Sequence, residues 1–389
     1  MSLRPISPPA TIGILGGGQL GRYLAMAART MGYRTMVLEP DAAAPAGAVA
    51  DVHLVAAYDD PTAIDRLTEE CAVVTVEFEN PPAAALQRLS RGVLVRPGPH
   101  AIAIVQDRRT EKRFLSEAGF PVGPFAVIDD AGDLAAAGAA VTGAAIVKTA
   151  RLGYDGKGQA HIDTADGLAD AWQALGCQPC VVEQRLTLER ELSVVLARDV
   201  YGQVAPFAVT DNTHVHGVLD LSVAPVVGPL ADRATALATA VAEALDYVGV
   251  LGVELFVVDG DLVVNELAPR PHNSGHWTLD AARTSQFEQQ VRAVCGLELG
   301  DPAMGAPAVA MVNLLGDRWR HGEPEWAVML DRPEAHLHLY GKREPRPGRK
   351  MGHLTVTGAT TAEAAAAAIG ARSRGTAPAH DSGTPPDRP

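Results

Sequence analysis

In its first hundred residues the chain alternates short apolar runs with stretches of helical period, and that alternation leaves few folds open. Thr11–Leu15 reads as a strand, residues 19–31 as a helix and Arg34–Leu38 as a second strand ending at Glu39-Pro40. Val73–Val76 reads as another strand, followed by Glu77-Phe78-Glu79-Asn80 and a Pro-Pro stop. Strands that alternate with helices over short connections pack as a parallel sheet covered on both faces. Between the first strand and helix runs Gly16-Gly17-Gly18-Gln19-Leu20-Gly21, a G-x-G-x-x-G, and Glu39 closes the next strand. Such a loop lets an anion approach the free N–H groups of a helix N-terminus. Three readings stay open here: the dinucleotide loop of an NAD-dependent dehydrogenase, a phosphate or substrate loop without dinucleotide, and glycines that only let the helix pack on its strand.

Past Arg96-Pro97-Gly98-Pro99 the pattern changes. A charged helix is expected over 107–118, then a smaller unit over 125–185, then longer strands over 191–267 with a helix at 231–247. A further helix is expected from Asn273 through Val294, with strands near 309–315 and 336–340. The expected division is 1–105, 106–185, 186–373 and a disordered tail, 374–389, rich in Gly, Pro, Ser and Thr. A chain of 389 residues exceeds a single core, which stops growing near ~250–300 residues. A net charge of −13 argues against a nucleic-acid-coating protein but leaves room for a local basic pocket. Residues 1–10 carry no apolar signal core, and no uncharged apolar run approaches the ~20 residues of a membrane span, so a cytoplasmic enzyme is expected. Cys177 and Cys180 form a C-x-x-C without a second pair, read as a chance pair ahead of a redox or zinc site.

Two features carry chemistry. The run Lys148-Thr149-Ala150-Arg151-Leu152-Gly153-Tyr154-Asp155-Gly156-Lys157-Gly158 sets one lysine at a strand end and another among three glycines. It is not a Walker A loop; it reads either as a mobile cover for a nucleotide triphosphate or as a plain flexible hairpin. Further on, residues 250–258 and 262–267 read as a hairpin around Asp259-Gly260-Asp261. If all three form the loop, Glu254 falls opposite Glu266; a two-residue loop would turn the two acids to opposite faces. Facing carboxylates repel unless a cation lies between them, and an oxygen-only pair suits Mg²⁺. Solvated acids on a sheet edge are the alternative. The next segment, Pro269-Arg270-Pro271-His272-Asn273-Ser274-Gly275-His276, is a stiff loop dense in polar groups, suited to an anion beside a γ-phosphate.

Residues 11–358 resemble the ATP-grasp superfamily and, within it, the N5-carboxyaminoimidazole ribonucleotide synthetases of purine biosynthesis. The motifs are GILGGGQLGR (13–22), EFEN (77–80), DRRTEK (107–112), the 148–159 segment, ERELS (189–193), NELAPRPHNSGHWT (265–278) and YGKREPRPGRKMGH (340–353). The resemblance implies an α/β (α+β) ATP-grasp fold with an N-terminal Rossmann-like parallel sheet, a small lid subdomain and a larger mixed-sheet C-terminal domain. It implies ATP-dependent carboxylation of aminoimidazole ribonucleotide by bicarbonate through carboxyphosphate, by a homodimer with no membrane or nucleic-acid partner. Arg108 and Lys148 would contact ATP phosphates, Glu183, Gln184, Arg185 and Leu186 would line the adenine pocket, Glu191 would take the ribose, and His214 would lie nearby. Glu254 and Glu266 would hold Mg²⁺ (or Mn²⁺), with Asn265 beside them. Tyr154, Asp155 and Gly156, in a glycine-hinged lid, would close over the substrate with Asn273, while Lys342 and Arg349 would bind its phosphate. Arg270 and His272 would hold bicarbonate and then carboxyphosphate, with Lys148 as the third catalytic group. Rivals are a formate-dependent glycinamide ribonucleotide transformylase, a biotin carboxylase, the dehydrogenase of the first loop, and a non-catalytic nucleotide-binding regulator.

The basic residues carry one more pointer. Of 33, only five are lysines: Lys112, Lys148, Lys157, Lys342 and Lys350. In a chain this rich in Arg, a retained Lys marks places where a compact ammonium is needed and a planar guanidinium fits poorly.

Overall fold

The computed structural model describes residues 4–153 and 157–375. Three sheets organise the chain. The first holds β1 (Thr11–Leu15), β2 (Arg34–Leu38), β3 (Val52–Leu54), β4 (Val73–Val76) and β5 (Leu94–Val95), all parallel, in the order β3-β2-β1-β4-β5. The nearly unbroken apolar, buried character of β1, β2 and β4 is what a doubly covered parallel sheet requires. The strand order reverses between β1 and β4, so the crevice beyond their carboxyl ends is where such sheets bind ligands.

The glycine loop lies at that crevice, and the chain fills it with its own acids. Glu77, just past β4, accepts from Gly18 N at 2.8 Å and from Gly21 N at 2.9 Å. Glu39, just past β2, accepts from Gly17 N at 2.9 Å and from the Tyr58 hydroxyl at 2.6 Å. The helix N-terminus that would cradle a pyrophosphate is thus neutralised from within, and the dinucleotide reading of this loop is set aside. The glycines are needed because a Cβ at Gly16 would run into Glu77 Cγ, and one at Gly17 would meet Glu39 Cγ at 2.5 Å.

The second sheet comprises β6 (Phe125–Ile128), β7 (Ala145–Thr149), β8 (Gln159–Ile162) and β9 (Cys180–Gln184), antiparallel in the order β6-β9-β7-β8. The third comprises β10 (Arg190–Arg198), β11 (Val204–Pro206), β12 (Thr210–Val215), β13 (Val218–Ala224), β14 (Gly249–Val258), β15 (Asp261–Ala268), β16 (Ala308–Leu315), β17 (Ala335–Leu339) and β18 (Lys350–Gly358). Its path is β15-β14-β10-β12-β13-β16-β18-β17, with β11 added to β10. Every pairing between its strands is antiparallel, so the sheet expected to be mixed is antiparallel throughout. Hairpins and tight loops need no crossover helices, so only one long helix, Pro229–Ala244, interrupts β10 to β15.

Two more expectations are corrected. The single helix from Asn273 to Val294 is broken into a 3₁₀ turn, Asn273–Gly275, and helices Thr278–Ala281 and Gln286–Cys295, the last capped by Ser285. Arg374, expected at the head of the tail, ends the helix Thr361–Arg374 and pairs with Asp331 at 3.0 Å; residues 376–389 lie outside the described residues. Cys177 is exposed and Cys180 buried, both as free thiols. Among the described residues no helix is long and apolar enough to cross a membrane.

The β14–β15 hairpin turns on two residues, not three. Val258 pairs with Asp261, and Asp259 and Gly260 both have positive φ, 50° and 77°, as a type I′ turn demands. With that loop alone Glu254 would face Asn265. A register shift between Glu254 and Leu255, with Asn265 as the extra residue on the other strand, restores the pairing Glu254↔Glu266. The expected partners meet, although the expected loop does not form.

Glycine substitutions separate backbone strain from steric contact. At Gly260, φ is +77° with nothing within 4 Å of an added Cβ, so Gly260→Ala should cost about 1 kcal/mol by strain alone. At Gly16, φ is +103° and the Cβ also meets Glu77, so Gly16→Ala should cost clearly more. Thermal melts of the two variants check this; equal shifts would show that Glu77 yields freely.

Candidate active site

The site is built where the second and third sheets face each other. A cleft between them is lined by Ile146, Leu186, Leu188, Phe256 and Val263, with Lys112, Lys148, Glu183 and Asn265 at its polar end. Gln184 and Arg185 border the same cleft. An apolar slot that ends in ammonium groups suits a flat base carrying an anionic tail.

Lys148 stands on β7, held on either side by its antiparallel neighbours β8 and β9. Its ammonium is 3.1 Å from Glu183 on β9, and Lys112 approaches the other oxygen of Glu183 at 3.1 Å. Burial tends to raise the Glu183 carboxyl, but Lys112, Lys148 and Arg108 outweigh it and hold the group down at about 2. Burial lowers Lys148 below the ordinary lysine value, with Glu183 opposing. Glu183, expected as an adenine-pocket residue, borders that cleft and is also shared between two lysines.

On the third sheet, Glu254 and Glu266 face each other from β14 and β15. The bulge sets Asn265 beside Glu266, so that an amide stands next to the two carboxylates. Asn265 Nδ2 donates to Glu254 Oε2 at 3.2 Å, and its Oδ1 is a buried acceptor with no protein partner. Two carboxylates that face each other across the strands, with an unsatisfied amide oxygen beside them, fit a hard divalent cation such as Mg²⁺. Arg108 Nη1 reaches Glu266 Oε2 at 2.9 Å, which ties the charged helix Arg108–Glu117 to this pair. His272 Nε2 lies 3.2 Å from Glu254 Oε1. Burial alone would raise Glu254, but His272, His214 and the Asn265 amide overcome it and hold it at about 2.

The stiff loop after β15 is fixed from behind. Gln286 accepts from His272 N at 2.8 Å and donates to His272 O at 2.8 Å, while Ser274 Oγ meets His272 Nδ1 at 2.8 Å. Arg270 pairs with Glu79, from the segment after β4; burial lowers its pKa to about 10 against the pull of Glu77. Asn273 is engaged in a reciprocal amide pair with Asn313, at 2.7 and 3.1 Å. On β10 and β12, Glu191 and His214 pair at 2.8 Å. His214 is raised: burial opposes, but Glu191 and Glu254 prevail.

Lys342 donates to the Lys350 carbonyl at 2.7 Å, with its ammonium 5.4 Å from the Tyr340 ring centroid. Arg349 donates to the Glu344 carbonyl at 2.9 Å. Tyr154, Asp155 and Gly156 lie outside the described residues. The structure also gathers groups that received no role from the sequence: Lys112, Glu111, Glu79, and Lys350, whose charge acts on both His214 and His276. For Lys112 and Lys350 the scarcity of lysine was the available signal. Glu79 and Glu111 stand inside recognisable motifs, but nothing near them in sequence marks their partners.

Residues 9–106 match the ribonucleotide synthetase preATP-grasp domain, 113–287 the ATP-grasp domain, and 309–367 the phosphoribosylaminoimidazole carboxylase C-terminal domain. The N5-carboxyaminoimidazole ribonucleotide synthase of Brucella melitensis is 48% identical over 360 residues, covering 91% of this chain and 98% of the relative. An N5-carboxyaminoimidazole ribonucleotide synthetase solved with ADP superposes with a TM-score of 0.89 at 39% identity, over 95% of this chain and 98% of that one. The Aspergillus clavatus synthase, solved with ADP and 5-aminoimidazole ribonucleotide, gives 0.85 at 28% identity, over 94% and 99%. With three matching domains in order and near-complete coverage of both chains, the protein belongs to the N5-carboxyaminoimidazole ribonucleotide synthase family of ATP-grasp ligases.

Proposed function

We propose that this chain uses ATP to carboxylate 5-aminoimidazole ribonucleotide with bicarbonate, releasing ADP and phosphate and forming N5-carboxyaminoimidazole ribonucleotide. The observation that carries the reading is that Lys148 and Asn265 line the polar end of an apolar cleft, with Asn265 bonded to Glu254 and Glu266 facing Glu254 and paired with Arg108. The adenine would lie between Ile146, Leu186 and Phe256, with its ribose toward Glu191 and its phosphates toward Lys148 and Arg108. Glu254 and Glu266, with Asn265, would hold Mg²⁺, which supplies charge neutralisation to the phosphates when bound.

Bicarbonate is a poor electrophile, and ATP makes it reactive. A bicarbonate oxygen attacks the γ-phosphorus, the bond to the ADP oxygen breaks, and carboxyphosphate results. The substrate amine then attacks either the carboxyl carbon of that anhydride, expelling phosphate, or the CO₂ formed once phosphate has departed; in both cases the amine gives up a proton, which the released phosphate can take. Phosphoryl transfer of this kind asks the protein for positioning and charge neutralisation more than for a nucleophile. Arg270 and His272 would hold the bicarbonate. For Arg270 this means exchanging Glu79 for the substrate anion, while His272 is kept oriented by Ser274 and Gln286. Lys342 and Arg349 would take the ribonucleotide phosphate, with Tyr154, Asp155 and Gly156 closing over the ring. The family reading carries with it a cytoplasmic homodimer without nucleic-acid partners.

Glu266→Gln should abolish substrate-dependent ADP release while the fold survives. ADP release measured with bicarbonate, with and without aminoimidazole ribonucleotide, checks this. If the unaltered protein shows no substrate-dependent release, the proposed reaction is wrong; if Glu266→Gln retains full activity, the metal assignment is.

The charge states set a pH window. Glu183 and Glu254 sit at about 2 in the folded protein, below their ordinary value of 4.5. Depressed carboxyls stabilise the fold fully above about 4.5, and that contribution is lost as pH falls toward about 2. His214 is raised, so its contribution is full below 6.5 and is lost as pH rises through its folded value. Melting temperature should therefore fall on the acid side between about pH 4.5 and 2, and Glu183→Gln should flatten that limb. An unchanged acid limb in the variant would show that Glu183 is not ionised between its lysines.

A further inference from the structure

One face of the helix Arg108–Glu117 is charged and yet buried: Arg108, Glu111 and Lys112 are 8%, 1% and 1% exposed. Spaced three and four residues apart, they point the same way, and each takes one of three successive residues of β15. Lys112 Nζ donates to the carbonyl of Asn265 at 2.8 Å, Arg108 pairs with the side chain of Glu266 at 2.9 Å, and Glu111 Oε1 accepts from Leu267 N at 2.6 Å. β15 is the edge strand of its sheet, met on its outer side only by a single bridge from Val122 to Val264 among the described residues. Asn265 is the residue the bulge adds, and such a residue has no ladder partner of its own. Past Val264, Lys112 and Glu111 therefore stand in for the backbone bonds of a missing strand at the point where the register shifts, and Arg108 holds the Glu266 side chain between them.

Lys112 does more than satisfy a carbonyl. The same ammonium lies 3.1 Å from Glu183, whose other oxygen lies 3.1 Å from Lys148. One compact cation thus joins the bulge of the third sheet to the phosphate-facing lysine of the second. A guanidinium, broader and planar, would not fit a pocket shaped for a single tetrahedral ammonium. A neutral side chain would take one of its cations from Glu183 and leave the Asn265 carbonyl without a donor.

We propose that Lys112 is a positioning residue of the reaction: its ammonium fixes the bulged backbone at Asn265, and with it the facing pair Glu254 and Glu266, relative to Lys148. This rests on the reading of that pair as the Mg²⁺ site. Lys112 touches neither phosphate nor metal in this scheme; it sets the distance between the groups that do. Its loss should weaken the response to Mg²⁺ while leaving recognition of the ribonucleotide intact.

The test compares Lys112→Met, Lys112→Arg and Glu266→Gln with the unaltered full-length protein. Calorimetry reads ADP affinity with and without Mg²⁺, and steady-state assays read the Mg²⁺ concentration for half-maximal ADP release and the KM for aminoimidazole ribonucleotide. Lys112→Met should raise the Mg²⁺ requirement about tenfold or more, the loss typical when a group supporting a metal ligand is removed. It should weaken ADP binding more with Mg²⁺ than without, and leave the KM for the ribonucleotide within about twofold. Lys112→Arg should not rescue it. Equal weakening of ADP with and without Mg²⁺, at an unchanged Mg²⁺ requirement, would overturn the proposal and leave Lys112 as a support of the base pocket. If Glu266→Gln also leaves the Mg²⁺ requirement unchanged, the metal reading itself has failed; if only the Lys112 variants do, the positioning role alone has failed. Where Lys112→Met does not fold, the double variant Lys112→Met/Glu183→Gln removes both charges together and reads the same quantities.

Discussion

The backbone of an edge strand, and the way its polar groups are satisfied, governs the rest of the site. β15 must bury Leu262, Val264 and Leu267 against the core while turning Asn265 and Glu266 toward the cleft. Strict alternation cannot do both: Glu266 would share the face of Val264, and Leu267 would share the face of Asn265. One extra residue resolves the conflict but leaves an unpaired carbonyl inside the protein. An unmet buried acceptor costs roughly 1–3 kcal/mol, and the helix Arg108–Glu117 removes that penalty with a charged donor.

The same solution explains why so many ions are buried together. Lys148, Glu183, Lys112, Arg108, Glu111 and Glu266 form a cluster in which cations and carboxylates interleave, through ion pairs at Glu183 and Glu266 and the field of Arg108 and Lys112 on Glu111. Buried pairs of this kind contribute little net stability, but removing one partner is costly, on the order of 3–5 kcal/mol, since a bare charge remains. The arrangement therefore fixes position more than it adds stability, and position is what phosphoryl transfer demands.

The pairing of Glu254 with Glu266 was reached in the sequence through a three-residue loop that does not form. The parallel sheet, the helix after Asp107 and Lys148 at its strand end were legible outright. In each case the deciding interactions are local: apolar period, capping residues, turn chemistry. The hairpin shows where local rules stop. Asp259-Gly260 forms a two-residue turn, and the bulge that rescues the pairing is held by Lys112 and Glu111, 153 and 156 positions away in sequence. Glu79 against Arg270 is of the same kind, with the two residues separated by 191 positions. The glycine loop marks a different limit. Its spacing fits a dinucleotide, but whether its N–H groups meet a ligand or the chain's own Glu77 and Glu39 depends on two other strands.

By itself, the sequence determined the elements, the family resemblance and the kinds of charge available, because propensity and spacing act within a few residues of one another. The tertiary structure decided which charges meet. It turned the glycine loop inward onto two carboxylates, made Glu183 a bridge between lysines, and set Lys112, already marked by its motif and by the scarcity of lysine, at the junction of two sheets. The reason is geometric: ion pairs form between groups a few ångströms apart, and only packing of distant segments sets those distances.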